Sequence, residues 1–488
     1  MKKPTHSRII QIHAVPMPAG QADSSAPVLA LHQEHSKIYA KAVGGRFAKL
    51  RWIMVWVTQL VFYGTPWLQW HERQAVLFDL ANSRFFIFGL VLHPQDLIYL
   101  AMLLVLAALA LFFFTAVAGR LWCGYACPQT VYTAIFLWLE RLTEGDRVAR
   151  MRLDSAHWGP EKFARKSAKH ALWVGLSLLT GFSFVGYFTP IHDLVTELLA
   201  LSFSAWEWFW VLFYGLATYG NASYLREQIC KQMCPYARIQ GALTDMDSMV
   251  IAYDTDRGES RGSRPRNADP KALGLGDCID CTLCVQVCPT GIDIRHGLQN
   301  ECIACAACID VCDAVMEKMN YPKGLIRYSS GKGMDERLTP KQMVKRVWRP
   351  RVWVYGMLLL LVATLFIGGL STRKGFVVDV IRDRGAMARE TGRGDIENIY
   401  RLQIMNTTEQ VQTYTTSVQG LPGLVLATNP VLSVPAAGIG SLIIRLTLAA
   451  EAAQGHRGEV SPILFRVETQ GQAKVVSVAE KSTFVVPP

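Results

Sequence analysis

Cysteine carries the chemistry of this sequence. Cys278, Cys281, Cys284 and Cys288 follow the spacing C-x2-C-x2-C-x3-C, with Pro289 after the fourth. Cys302, Cys305, Cys308 and Cys312 repeat it, with Asp313 where the proline would stand. In this two-cluster spacing three neighbouring thiolates wrap one corner of an iron–sulfur cubane, and the fourth cysteine reaches across to the other cluster. Cys278, Cys281, Cys284 and Cys312 are therefore expected to hold one [4Fe-4S] cluster, and Cys302, Cys305, Cys308 and Cys288 the second. Soft thiolates suit iron–sulfur iron. Paired CxxC ligands also bind zinc, but two copies of the four-cysteine run favour clusters. Two adjacent clusters form a wire for electrons and have no substrate chemistry of their own. Asp280 and Asp310 lie inside the motifs. They would lower the cluster potentials if held close, and would be plain surface residues if solvated.

A second cysteine pattern occurs twice. Cys123-Gly-Tyr-Ala-Cys127-Pro128 and Cys230-Lys-Gln-Met-Cys234-Pro235 each read CxxxCP. Residues i and i+4 share a helix face, so each pair would present two sulfurs in one direction. Cys123, Cys127, Cys230 and Cys234 are thus a candidate redox or metal site. Four thiolates would hold a third [4Fe-4S] cluster or bind copper as Cu(I); the plain alternative is four buried, inert cysteines. All twelve cysteines lie between Cys123 and Cys312, and the last 176 residues have none. A disulfide scaffold would place cysteines in the exported part, so this distribution points to metal ligation in a reducing compartment.

The elements that must position these residues are membrane helices. Of 488 residues, 51% are hydrophobic and 18% charged. Five stretches approach the ~20 apolar residues a span requires: 52–70, 97–119, 171–191, about 198–224, and 352–372. Pro66 threatens an early end to the first. Each of the first two helix pairs closes with CxxxCP, which suggests two parallel repeats about an axis along the membrane normal. Lys and Arg number 8, 9 and 19 in segments 1–51, 119–170 and 221–351, against 2 and 0 in 71–96 and 192–197. The positive-inside rule puts the first three segments in the cytoplasm. The C-terminal part then lies in the periplasm, and the location is a bacterial inner membrane. The net charge of +11 follows from the same rule, and no nucleic-acid motif accompanies it.

The fold class expected is an α-helical membrane protein of about five transmembrane helices. It carries an inserted α+β two-cluster ferredoxin-like module and a C-terminal all-β Ig-like domain. The boundaries are a disordered cytoplasmic start, 1–45; a four-helix membrane region, 46–255; the cluster module, 256–340; a basic anchor and fifth helix, 341–372; and the outer domain, 373–488. In that last part, runs such as 411–418, 441–448 and 462–467 are rich in Thr, Val, Ile and Tyr, with Gly and Pro between them. About seven short strands in such a length suit a sandwich.

Other signals are thinner. No CxxCH attaches a c-type haem, and His170 and His192 flank the third stretch without entering it. His71, His93 and His192 share the outer side and could gather a metal. Glu207, near the outer end of the fourth stretch, is an ionisable group at the membrane and so a functional candidate; exposure to headgroups is the plain alternative. Trp206, Trp208 and Trp210 suit an interfacial belt. No Walker A or dinucleotide fingerprint is present.

The segments GRLWCGYACPQTVYT, REQICKQMCPYARIQ and GDCIDCTLCVQVCPTGIDIRHGLQNECIACAACIDVC together resemble the cytochrome c oxidase accessory protein family, known as CcoG, FixG or RdxA. The resemblance runs from about 55 to 328 and more loosely beyond. It implies a role in assembling cbb3-type oxidases, through reduction of Cu(II) to Cu(I), which would make the chain a cupric oxidoreductase. It also implies the eight dicluster cysteines as cluster ligands and the four CxxxCP cysteines as the paired set. Expected partners are oxidase assembly factors or copper-handling proteins, a cytoplasmic electron donor and the membrane, with a homodimer as an open alternative to a single chain. Two rivals stand beside it: a quinol dehydrogenase-like membrane ferredoxin subunit, and a redox-sensing assembly scaffold without turnover.

Overall fold

The computed structural model describes residues 37–71, 73–266, 268–270, 272–383, 388–470 and 475–488. Most of the expected disordered start, residues 1–36, lies outside the described residues. Residues 39–45 have no regular secondary structure but are anchored, with Lys41 N donating to Gln286 O at 2.8 Å.

Among the described residues, three helices are long and apolar enough to cross a bilayer: Pro94–Ala118, Pro160–Val185 and Pro350–Ser371. The other two expected spans differ. The first is the helix Arg46–Gly64, whose opening turns carry Arg46, Lys49 and Arg51. It stops where Pro66 enters a 3-10 turn, Thr65–Trp67, because proline lacks the N–H that would extend it. The stretch 198–224 is divided into Ile191–Leu199 and the 16-residue helix Ala205–Gly220. The second helix runs on past Gly220 as the π-helical turn Asn221–Leu225. Ser204 makes the division. Its hydroxyl accepts from Glu207 N at 3.3 Å, and the Glu207 carboxylate accepts from Ser204 N at 2.8 Å, a reciprocal cap. Glu207 is therefore accounted for as a helix-capping group.

The helices Pro160–Val185 and Ala205–Gly220 approach through glycines. A Cβ at Gly181 would stand 2.2 Å from Val211 O, so no larger residue fits this crossing. The helix Pro350–Ser371 lies along Leu97–Ala118, where Tyr99 Oη donates to Gly369 O at 3.1 Å.

The cluster module is closed by an antiparallel pair, Val250–Tyr253 with Ile326–Ser329. Its first strand lies upstream of residue 256. Between the strands run the helices Leu283–Gln286 and Ala307–Met319. Ile251, Met316, Leu325 and Ile326 are buried together with Cys278 and Cys284.

The C-terminal part is a sandwich of two antiparallel sheets, with nine strands among the described residues rather than seven. One sheet holds 376–382, 389–390, 396–406, 424–426 and 439–448, and the other 412–419, 431–434, 460–470 and 477–485. The predicted runs lie on Gln412–Gln419, Ile439–Leu448 and Val460–Gln470. Tyr400, Leu402, Ile444, Phe465 and Phe484 form its fully buried centre. A three-stranded meander, Val76–Asp79, Arg84–Ile87 and Leu90–Leu92, lies between the helices Arg46–Gly64 and Leu97–Ala118 in the chain and packs on Ala437 of the sandwich. Arg373 pairs with buried Asp96, and Arg73 with Glu409 at 2.8 Å.

Candidate functional site

Each expected cysteine quartet surrounds its own cavity. Cys278, Cys281, Cys284 and Cys312 share one wall. Cys288, Cys302, Cys305 and Cys308 share another, which Cys284 also touches, so the two cavities adjoin. The crossing over of fourth cysteines follows from the helices. Cys308 and Cys312 both ride on Ala307–Met319, yet they serve different cavities.

The two binding loops have the same backbone. Asp280 and Thr282 flank Cys281 with φ of 53° and 55°; Ala304 and Ala306 flank Cys305 with φ of 54° and 59°. Left-handed conformations cost L-residues roughly 1–2 kcal/mol each. Such strain collects where the backbone must serve a site. Here it turns N–H groups towards sulfur: the Ala304 N–H faces Cys302, and the Ala307 N–H faces Cys305.

Burial dominates the electrostatics of the thiols. It pushes Cys302 up to about 12, against the Ala304 N–H, and Cys312 up to about 12, aided by Cys284 and Cys278. Cys284 rises to about 11 by burial, with Arg295 opposing. Sulfur-lined cavities of this kind fit a cationic iron–sulfur core, whose binding displaces the thiol protons. Cys281 is exposed, so the first quartet has an open edge. Among the described residues, no three His, Cys, Asp or Glu side chains converge closely enough for a single ion; the sulfurs stand around voids.

The motif aspartates differ from simple solvated residues. Asp310 is 7% exposed and accepts from Phe47 N at 3.1 Å and Ala48 N at 2.7 Å. It thereby caps the helix Arg46–Gly64. Asp280 pairs with Arg295. Asp313 accepts from Gly324 N at 2.9 Å.

The CxxxCP cysteines also meet, though not as one helix face each. The residue before proline is steered away from helix, so Cys127 and Cys234 are N-caps of the helices Pro128–Glu144 and Pro235–Leu243. Cys123 sits on the short helix Leu121–Tyr125, and Cys230 on the π-helical turn Ile229–Met233. The four sulfurs nonetheless influence one another. Burial first, then Cys127, with smaller help from Cys230 and Cys234, pushes Cys123 up to about 12 against Arg120. Burial, then Cys127 and Cys234, pushes Cys230 up to about 11. Gln129 Nε2 joins the two repeats by donating to Asn221 O at 2.9 Å and Arg226 O at 3.1 Å.

This set lies against the second quartet. A Cβ at Gly124 would meet Ala304 O at 2.9 Å. Tyr125 Oη lies 3.1 Å from Tyr328 Oη, which donates to Ala304 O at 2.7 Å. Arg120 donates to Ala237 O at 2.8 Å and Cys302 O at 3.5 Å. Cys230 and Cys305 line one cavity of about 80 Å³. Sequence reading missed Arg51, Arg120, Tyr328 and Gln240, whose Oε1 accepts from Cys123 Sγ at 3.2 Å. Only Gly124 carried a signal, since glycine inside a ligand motif marks close backbone approach.

His71, His93 and His192 do not gather into one site. His71 pairs with Glu409 at 3.2 Å, His192 meets Gln69 at 3.2 Å, and His93 is buried beside Asp96.

Comparison with known proteins agrees with this geometry. Residues 225–331 match a family described as a 4Fe-4S dicluster domain, residues 100–144 a 4Fe-4S binding domain, and residues 366–487 the IG-like fold at the C-terminal of FixG. "Nitrogen fixation protein FixG" of Rhizobium meliloti is 36% identical, covering 81% of this chain and 82% of its own. "Protein RdxA" of Cereibacter sphaeroides is 37% identical over 90% of this chain and 95% of its own. "Protein RdxB" of the same organism is 38% identical over 83% and 87%. With apolar helices, iron–sulfur domains and relatives matched over most of their length, this chain belongs to the FixG/CcoG family of membrane-associated iron–sulfur electron-transfer proteins.

Proposed function

We propose that the chain passes electrons from a cytoplasmic donor through its two cysteine quartets to the CxxxCP cysteines, where Cu(II) is reduced to Cu(I) for assembly of a cbb3-type oxidase. The carrying observation is the contact of the CxxxCP segment with the second quartet: Gly124 lies against Ile303 and Ala304, between Cys302 and Cys305. Bound clusters supply one-electron storage. The chain's residues supply the rest. Cys281 leaves the first quartet open to a soluble donor, while at the second Cys305 is buried and Cys288, Cys302 and Cys308 are half-buried. Tyr125, Tyr328 and Arg120 hold the CxxxCP segment in register with it.

The match of a 4Fe-4S binding domain over residues 100–144, which include Cys123 and Cys127, supports iron as the resident metal there. Copper is then the substrate. Each Cu(II) takes one electron, and soft sulfur favours the Cu(I) product. The basic segments around the quartets support a cytoplasmic site, with the sandwich in the periplasm of a bacterial inner membrane. Oxidase assembly factors or copper-handling proteins are the expected partners.

Iron and acid-labile sulfide in anaerobically purified protein test the assignment: about eight irons per chain correspond to two clusters, about twelve to three. Replacing Cys127 and Cys234 by Ser is expected to abolish Cu(II) reduction while the dicluster EPR signals persist. Undiminished reduction in that variant overturns the proposal.

A second reading, a quinol dehydrogenase-like subunit, draws on one observation. A cavity of about 130 Å³ lies between the helices Arg46–Gly64 and Pro128–Glu144, lined by Trp52, Trp138 and Thr130 and reaching Pro289 and Ala307 of the module. Reduction of the clusters by a short-chain quinol favours it.

A further inference from the structure

The helix Arg46–Gly64 begins on the second quartet. Asp310, between Cys308 and Cys312, accepts its first N–H groups. Gly45 permits the approach, since a Cβ there would stand 2.3 Å from the Asp310 carboxyl carbon. One and a half turns on, this brings Arg51 to the cavity that Cys230 and Cys305 share. Among the described residues Arg51 has no hydrogen-bond or ion-pair partner, and its Nε is buried without an acceptor. A half-buried guanidinium normally finds a carboxylate, because burying an unanswered charge is costly. It acts electrostatically on Cys305 and Tyr125, and Glu227 lines the same cavity.

The first quartet is furnished differently. Its arginine, Arg295, is bound by Asp293 at 2.6 and 2.8 Å and by Asp280. Arg264 bonds Tyr321 Oη at 3.1 Å and the Cys278 carbonyl at 3.5 Å, and Asp313 faces Cys312. Two cations thus meet three carboxylates. At the second quartet, Arg120 faces Cys302 and Arg51 faces Cys305; Glu227 and Arg226 line the same cavity as Arg51, with Arg226 paired to Glu140, and Asp310 is already engaged by the helix N–H groups. Reduction adds negative charge to a cluster, so nearby uncompensated positive charge favours it.

Building on the cluster assignment above, we propose that Arg51 raises the reduction potential of the site formed by Cys288, Cys302, Cys305 and Cys308, and so sets the direction of electron flow from the quartet with exposed Cys281 towards the CxxxCP cysteines. The step moves one electron. The first site is oxidised by one, the second is reduced by one, no bond forms or breaks, and no proton moves. Arg51 is a positioning charge and touches no substrate.

The test is an anaerobic EPR-monitored redox titration of the purified full chain, with the second signal assigned by its loss in a Cys302→Ser variant. Arg51→Gln and Arg51→Met, one polar and one apolar, are both expected to move the second signal to lower potential and leave the first in place. Arg51→Lys is expected to stay near the parent. Unmoved potentials in Arg51→Gln or Arg51→Met, or equal shifts of both signals, overturn the proposal. Iron content separates the two levels: a parent chain without cluster iron refutes the cluster assignment, whereas full iron with an unmoved second signal refutes the role of Arg51 alone.

Discussion

Gly124 has its α-carbon pressed against the main chain of Ile303: a Cβ added there would stand 2.7 Å from the Ile303 carbonyl oxygen. Gly124 belongs to the first CxxxCP motif and Ile303 to the second cluster loop, so this contact sets the gap between two sites. Gly124→Ala must push the segments apart. Overpacking of this kind costs about 1–3 kcal/mol. Thermal unfolding in detergent is expected to show that loss, and stopped-flow reduction at the CxxxCP site is expected to slow while both dicluster signals remain.

The crossing of fourth cysteines gives a selective prediction. Cys312 faces the cavity of Cys278, Cys281 and Cys284, although it shares a helix with Cys308. Cys312→Ser is expected to perturb the signal that Cys281→Ser perturbs, and Cys288→Ser the signal that Cys305→Ser perturbs. EPR of the four variants checks this. Pairing by sequence neighbourhood instead would show that the crossing is absent.

Glu140 anchors the second CxxxCP segment to the first. It is 2% exposed and binds Arg150 and Arg226, each at 2.6 Å. Burial alone would raise its carboxyl, but Arg226 and Arg150 outweigh this and hold it below the usual carboxylate range. A lowered folded-state pKa contributes stability that is present above the ordinary Glu value and lost as pH falls through the folded one. The parent is therefore expected to lose stability below about pH 4.5. Glu140→Gln leaves two arginines unanswered and is expected to cost about 3–5 kcal/mol at neutral pH with a flatter acid limb. Melting curves across pH 4 to 8 check both.

Glu207 offers a contrast. Its carboxylate closes the cap at Ser204, and Gln serves equally well in that box. Glu207→Gln is expected to match the parent in stability and electron transfer. Glu207→Ala is expected to lose about 1 kcal/mol and still transfer electrons. A transfer defect in both variants would make Glu207 part of the pathway.

Much of this protein was legible in the residues. Ligand spacing is a local property, so the two quartets were grouped crosswise from sequence, and in the structure each quartet lines one cavity. The long helices at 97–118 and 350–371 declared themselves by unbroken apolar runs, and the strands at 412–419 and 439–448 by alternation. The capping pair Ser204 and Glu207 was equally local, spaced as S-x-x-E, but an apolar reading of 198–224 passed over it.

Other features depend on residues far apart in the chain. Asp310 looked solvated because its partners, Phe47 and Ala48, lie some 260 positions away. The same separation hid Arg51 from Cys305. Spacing groups the thiols that line one cavity, because three of the four lie within seven residues. Only the tertiary structure decides which centres touch, and which arginine charge is left unanswered between them, because both depend on where distant helices come to rest.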